Sequence, residues 1–124
     1  MENLAMAYVD GFVVPVPRRR LAEYRKIARK AGRIWIEHGA LGFHECVADD
    51  VKVGKRTSFT RSVKLGRGET VVFSWIMFPS RATRDRVNAK VMKDRRLASM
   101  MDVRKMPFDA KRMIYGGFRT IVDF

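Results

Sequence analysis

Cysteine is almost missing from this chain. Cys46 stands alone, so no disulfide can form within it, and an apolar core has to hold the fold. A reducing, cytoplasmic setting is therefore expected. Long apolar runs are missing too. None approaches the roughly 18 residues that cross a bilayer, and Met1–Ala7 lacks the charged-then-apolar layout of a targeting segment. No membrane partner is expected. Histidine is scarce: His38 and His44 have no second close ligand pair beside them, so no metal or cofactor is expected. Repeats and low-complexity tracts are absent. Acidic residues are the last shortage, 13 Asp and Glu against 26 Lys and Arg, a formal net charge of +13. Such an excess favours encounter with polyanions, nucleic acid among them. An unusually basic version of an ordinary fold explains it as well.

What is there suffices for one domain, residues 1–124. With 47% hydrophobic and 31% charged residues, the composition is that of a packed globule and not of a disordered chain. Ala7–Val16 predicts a strand rich in β-formers and ended by Pro15 and Pro17, with Gly11 marking a bulge or a close backbone approach. Arg18–His38 predicts a long helix, because Leu21, Tyr24, Ala28, Ala31, Trp35 and His38 recur at three- or four-residue steps. Gly32 weakens it locally and Gly39 ends it.

Gly42–Val51 predicts a second strand. Phe59, Arg61, Val63 and Leu65 then alternate with Thr60, Ser62 and Lys64, which predicts a short strand or an extension of the second. Gly66-Arg67-Gly68 joins it in a hairpin to Thr70–Phe78, the most apolar strand, expected mid-sheet. Ser80 is the expected N-cap of a second helix, Arg81–Lys93, with Val87, Val91 and the stem of Arg84 turned inward. The Met-rich stretch Leu97–Met106 suits a short helical turn, and Met113–Phe124 predicts the last strand.

This order, strand-helix-strand-strand-helix-strand, predicts an α+β fold: a ferredoxin-like βαββαβ antiparallel sheet with both helices on one face. Alternation divides each central strand into two sets. Val9, Gly11, Val13 and Val72, Ser74, Ile76 are the smaller sets, expected under the helices. The bulkier sets, including Phe12, Phe73 and Trp75, are then left uncovered. So large an apolar face predicts a homodimer with its sheets packed face to face.

Six stretches carry a family resemblance: Tyr8–Pro17 (YVDGFVVPVP), His44–Asp50 (HECVADD), Val72–Ile76 (VFSWI), Arg86–Met92 (RVNAKVM), Met106–Asp109 (MPFD) and Lys111–Phe118 (KRMIYGGF). They resemble the YbaA-like family, small bacterial proteins with a domain of unknown function. The resemblance spans nearly the whole chain. It implies a dimeric α+β barrel and brings no catalytic residues with it.

Polar groups within strands are the candidates for chemistry. Asp10, Glu45, Tyr115 and Arg119, sharing a face with Phe12 and Trp75, would line an apolar cleft with a few polar handles, the usual form of a small-molecule site. A carboxyl group beside Trp would have a raised pKa. The plainer reading pairs Asp10 and Glu45 across the dimer. His44 and Cys46 share one face of their strand with Glu45 on the other; a structural His and a buried Cys are the expectation there. Asp109, Lys111 and Arg112 suit turn capping. The first helix carries Arg18, Arg19, Arg20, Arg25, Lys26, Arg29, Lys30 and Arg33 against Glu23 alone, a candidate polyanion surface.

The leading functional reading is thus a cytoplasmic homodimer holding a small, partly apolar ligand at the seam between two sheets. One alternative is salt-sensitive binding of nucleic acid or another polyanion through the first helix. Another is a structural or regulatory dimer without ligand.

Overall fold

The computed structural model describes residues 7–102 and 104–124. Met1–Met6, most of the stretch read above as no targeting segment, lies outside them. Strand β1 is Tyr8–Pro17, followed by a 3-10 turn at Arg18–Arg20 and helix α1, Leu21–His38. Strand β2, Gly42–Val47, leads to the single-turn helix α2, Phe59–Ser62. Then come β3 (Glu69–Phe78), α3 (Arg81–Met92), α4 (Arg95–Met100) and β4 (Ile114–Arg119). Among the described residues, no helix is long and apolar enough to cross a membrane.

Local chemistry accounts for several boundaries. Gly39 ends α1 at φ 122°, in the left-handed region that glycine enters without strain. Ser80 caps α3 by accepting from the Thr83 N–H at 3.1 Å, and Asp94 caps α4 by accepting from the Arg96 N–H at 2.9 Å. Pro15 does not end β1; the strand runs on to Pro17, its last residue. β4 pairs only with Tyr8–Val13, so beyond Val13 one side of β1 is open and a missing N–H costs no ladder bond there.

The four strands form one antiparallel sheet in the order β2-β3-β1-β4. Helices α1, α3 and α4 cover one face: Ile34, Val87, Val91 and Leu97 pack with Ile76 and Phe78, while Tyr24 packs with Val14, Val16 and Val72. The division of β3 follows expectation, with Val72, Ser74 and Ile76 toward the helices and Phe73, Trp75 and Met77 away. On β1 the expectation is reversed. Tyr8, Asp10, Phe12, Val14 and Val16 face the helices; Val9, Gly11 and Val13 face away. The register supplies the reason. Phe12 stands opposite Ser74, and Gly11 opposite Trp75. Bulk is shared between cross-strand partners, so a large residue on one strand selects a small one beside it, and size within one strand does not report its face.

Three further corrections concern the middle and the glycines. Phe59–Leu65 is no strand. Ser58 caps α2 by accepting from the Arg61 N–H at 3.0 Å, and Arg61 Nε reaches the carbonyls of Val53 and Gly54, so local hydrogen bonds override the alternation. β3 consequently makes no hairpin with that segment and pairs with β2, which stops at Val47. Val63 still turns inward, against Val13 and Val71, capping one end of the otherwise open face. Gly11 makes no bulge: the register runs through it, opposite Gly116, and the Phe118 ring lies 3.7 Å from where either residue's Cβ would be.

Candidate functional site

Glu45 projects from the edge strand β2 toward the helices, opposite Ser74 on β3. Tyr24, on the inner stripe of α1, donates its hydroxyl to this carboxylate, 2.8 Å from Oε1 and 2.9 Å from Oε2. Burial pushes the Glu45 carboxyl above its ordinary value, against the opposing hydrogen bonds from Tyr24 and Ser74. Burial and the adjacent carboxylate raise the Tyr24 phenol, which therefore remains a hydrogen-bond donor throughout the neutral range.

Two cavities share this pair. The inner chamber, about 180 Å³, lies between the sheet, α1, α4 and the Met106–Phe108 turn. Its walls include Phe12, Trp35, Phe43, Ile76 and the methionines 100, 101, 106 and 113. Thioether side chains are flexible and polarizable, so such a wall adapts to differently shaped apolar guests. Glu45, Tyr24 and Ser74 supply polar atoms. The outer groove, about 950 Å³, runs between α1 and β2 and is lined by Arg25, Arg29 and Arg33 above an apolar floor that includes Phe43 and Val47. Tyr24, Ala28, Phe43 and Glu45 belong to both linings. Gly32 explains how α1 comes so close to β2. A Cβ there would stand 2.7 Å from the Phe43 ring, so the residue that weakens the helix also permits its packing.

The other sequence candidates distribute themselves differently. Trp75 lies on the opposite face of the sheet, stacked on His44 at 4.8 Å between ring centres and beside Phe73 at 5.4 Å. Asp10, Phe12, Glu45, Tyr115 and Arg119 fall on the helix side, so they share no cleft with Trp75. Phe12 lines the inner chamber and stacks on the exposed Tyr115 at 6.2 Å. Arg119 is exposed at the edge, opposite Tyr8.

Asp10 is buried, and its partners belong to its own chain. Arg84 Nε donates to its two oxygens at 2.9 and 3.2 Å, and Asn88 Nδ2 donates at 3.3 Å. Trp35 Nε1 donates to Asn88 Oδ1 at 3.0 Å, and the Arg84 guanidinium lies 5.0 Å over the Tyr8 ring. This network ties α3 and α1 to β1. The stem of Arg84 was legible in sequence; its partner was not, because the two are separated by 74 residues.

His44 and Cys46 are exposed on the open face, where a buried thiol was expected. β2 is an edge strand without a helix above that face, so nothing covers them. His38 meets Asp94 at 2.8 Å, far from any pairing with His44. Asp109 accepts from the Lys111 N–H at 2.9 Å and from Arg112 Nε at 2.8 Å, and Arg112 also grips Glu69.

The basic set divides as well. Arg20 is tied down, bonded to Glu23 and to the carbonyls of Lys105 and Met106. Arg18, Arg19, Arg25, Lys26, Arg29, Lys30 and Arg33 are exposed. Asp10, Glu37, Glu69, Asp94 and Asp109 are held by Arg84, Arg96 or Arg112. The acids are thereby neutralised on the α3–α4 side and at the turn before β4. Among the described residues, Arg25, Arg29 and Arg33 have no acidic partner.

Sequence reasoning missed Tyr24, Ser74 and the methionine wall. The signals existed, as a phenol on an apolar helix stripe and a Met-rich stretch, but neither announces its partner.

Comparison with known proteins agrees with the resemblance read from the motifs. Residues 7–110 match the model of a protein family of unknown function, DUF1428. The chain is 51% identical over 118 residues to the uncharacterized protein YbaA of Escherichia coli K12, covering 95% of this chain and 99% of that protein. The same figures hold for YbaA of Shigella flexneri. Among solved structures, the de novo designed protein Foldit4 is similar with a TM-score of 0.43 and 13% identity, over 90% of this chain and 96% of that one. The chain belongs to the DUF1428 family of proteins of unknown function.

Proposed function

We propose that the protein is a cytoplasmic homodimer that binds a small, partly apolar ligand beneath α1, with Glu45 and Tyr24 as its polar anchor. The observation that carries this reading is the half-buried Glu45 carboxylate, held by neutral hydroxyl donors and no cation on the wall of an apolar chamber. A structural ion pair would use an arginine, as Asp10 does. A lone carboxyl between an apolar chamber and a groove has the form of a ligand handle. The chamber is slightly larger than the roughly 150 Å³ cavity that accepts benzene. Titration with phenol, followed by amide chemical shifts, is expected to move residues of α1 and β2 around Tyr24 and Glu45. Shifts confined to Phe73 and Trp75, or none, would overturn the site.

The dimer rests on the other face. The β2-β3-β1-β4 order with helices on one side supports reading the sheet as ferredoxin-like, and two such sheets closing face to face would make a dimeric α+β barrel. Phe73 (42% exposed), Ile114 (45%) and Phe118 (62%) leave an apolar surface that a second sheet would bury. Sedimentation at micromolar concentration is expected to give twice the chain mass.

A second reading has its own support. The uncompensated cations of α1 form a stripe suited to nucleic acid or another polyanion. A mobility shift with an RNA oligonucleotide at about 50 mM salt, lost near 200 mM, is the expected outcome; no shift at either salt removes the reading.

A further inference from the structure

The ligand's other end has its own recognition surface. Arg25, Arg29 and Arg33 are spaced four residues apart on α1, so their side chains form a row about 6 Å per step along one wall of the outer groove. Two acidic residues share that lining. Glu37 is engaged by Arg96 Nη2 at 2.7 Å and Glu45 by Tyr24 at 2.8 Å. Among the described residues neither carboxylate forms an ion pair with the row, which stands above an apolar floor that includes Leu21, Ile36 and Val47. Guanidinium groups are matched by carboxylate or phosphate, which accept their planar fork of donors.

We propose that the groove selects ligands that join an anionic head, carboxylate or phosphate, to an apolar body, with Arg25, Arg29 and Arg33 gripping the head while the body packs along β2 toward Glu45. This specificity rests on the Glu45 site described above. It commits to a soluble small molecule, not to a membrane surface or a nucleic acid. Arg18, Arg19, Lys26 and Lys30 are absent from the groove lining and serve as controls.

The test compares octanoate and octyl phosphate with octan-1-ol and octylammonium, following amide shifts of Tyr24 and Glu45 at about 50 mM salt, where surface charge is least screened. The anionic probes are expected to bind on the order of tenfold or more tightly than the alcohol, as for a charge-assisted hydrogen bond. Arg29→Gln should erase that preference, while Lys30→Gln should leave it intact. Arg29 is exposed, so its variant keeps the core intact. Equal binding of octanoate and octan-1-ol at Glu45 would overturn the anion selectivity while leaving the ligand site standing. No shift at Tyr24 or Glu45 with any probe would overturn both. Binding to anionic phospholipid vesicles without binding of octanoate would also overturn the proposal.

Discussion

The two faces of the sheet are made by alternate residues of the same four strands, yet they differ in almost every physical respect. On the helix-covered face, polar groups are paired: Asp10 with Arg84 and Asn88, Glu45 with Tyr24, Trp35 with Asn88. Among the described residues, no buried side-chain polar atom lacks a partner. The open face carries Phe73, Trp75, Met77 and Phe118, with His44 and Cys46 as its polar members in β2. The difference separates two tasks. These match the two proposed roles: ligand handling where desolvation strengthens polar interactions, and association where apolar area is left over.

The comparison breaks hardest at the core. Phe78 is fully buried against α1 and α3, so Phe78→Ala should cost about 3–5 kcal/mol in denaturant unfolding, whereas a cost below about 1 would mean the covered face is loosely packed. Next comes the ion pair. Arg84→Met leaves the buried Asp10 carboxylate without its cation and should cost about 3 kcal/mol. Replacing Asp10 by Asn in the same protein should recover part of that loss; a recovery of zero would show the pair is not coupled.

Smaller effects sharpen the Glu45 site. Tyr24→Phe removes the donor to the carboxylate and should cost about 1–2 kcal/mol. The pH dependence has a definite sign. The folded state holds the Glu45 proton more tightly than the unfolded chain, whose ordinary value is 4.5, so this group favours folding below that pH. The contribution is lost as pH rises through the higher folded value. Glu45→Gln should flatten this portion of the stability profile; an unchanged profile would assign the titration elsewhere. The smallest effect on chain stability is expected on the open face. Phe118→Ser should change the unfolding of the dilute monomer by less than about 0.5 kcal/mol, yet weaken self-association in sedimentation. A large loss in monomer stability would mean that this face belongs to the core.

Much of this architecture is legible from residues close together in the chain. The Ser80 cap, the Gly39 stop and the opposite facing of Glu45 against His44 and Cys46 each depend on local geometry alone. The facing of β1 was not legible, because it depends on which β3 residue stands opposite, and Gly11 beside Trp75 reverses what strand-internal size suggests. α2 was misread because a Ser cap outweighed a period-two pattern. Within the candidate site, Glu45 and Phe12 were legible as polar and aromatic residues in strands; Tyr24 and the chamber were not.

By itself, the sequence determined the order of the four sheet strands and the two long helices, the excess of cations on α1 and the membership in a family, since each is carried by short-range pattern or direct identity. Only the tertiary structure decided that the acids pair with Arg84, Arg96 and Arg112 and not with α1, which face Asp10 and Trp75 occupy, and that Tyr24 and Glu45 meet across 21 residues. The reason is physical: pairing energies depend on separation in space and on burial, and neither is a property of any window of the chain.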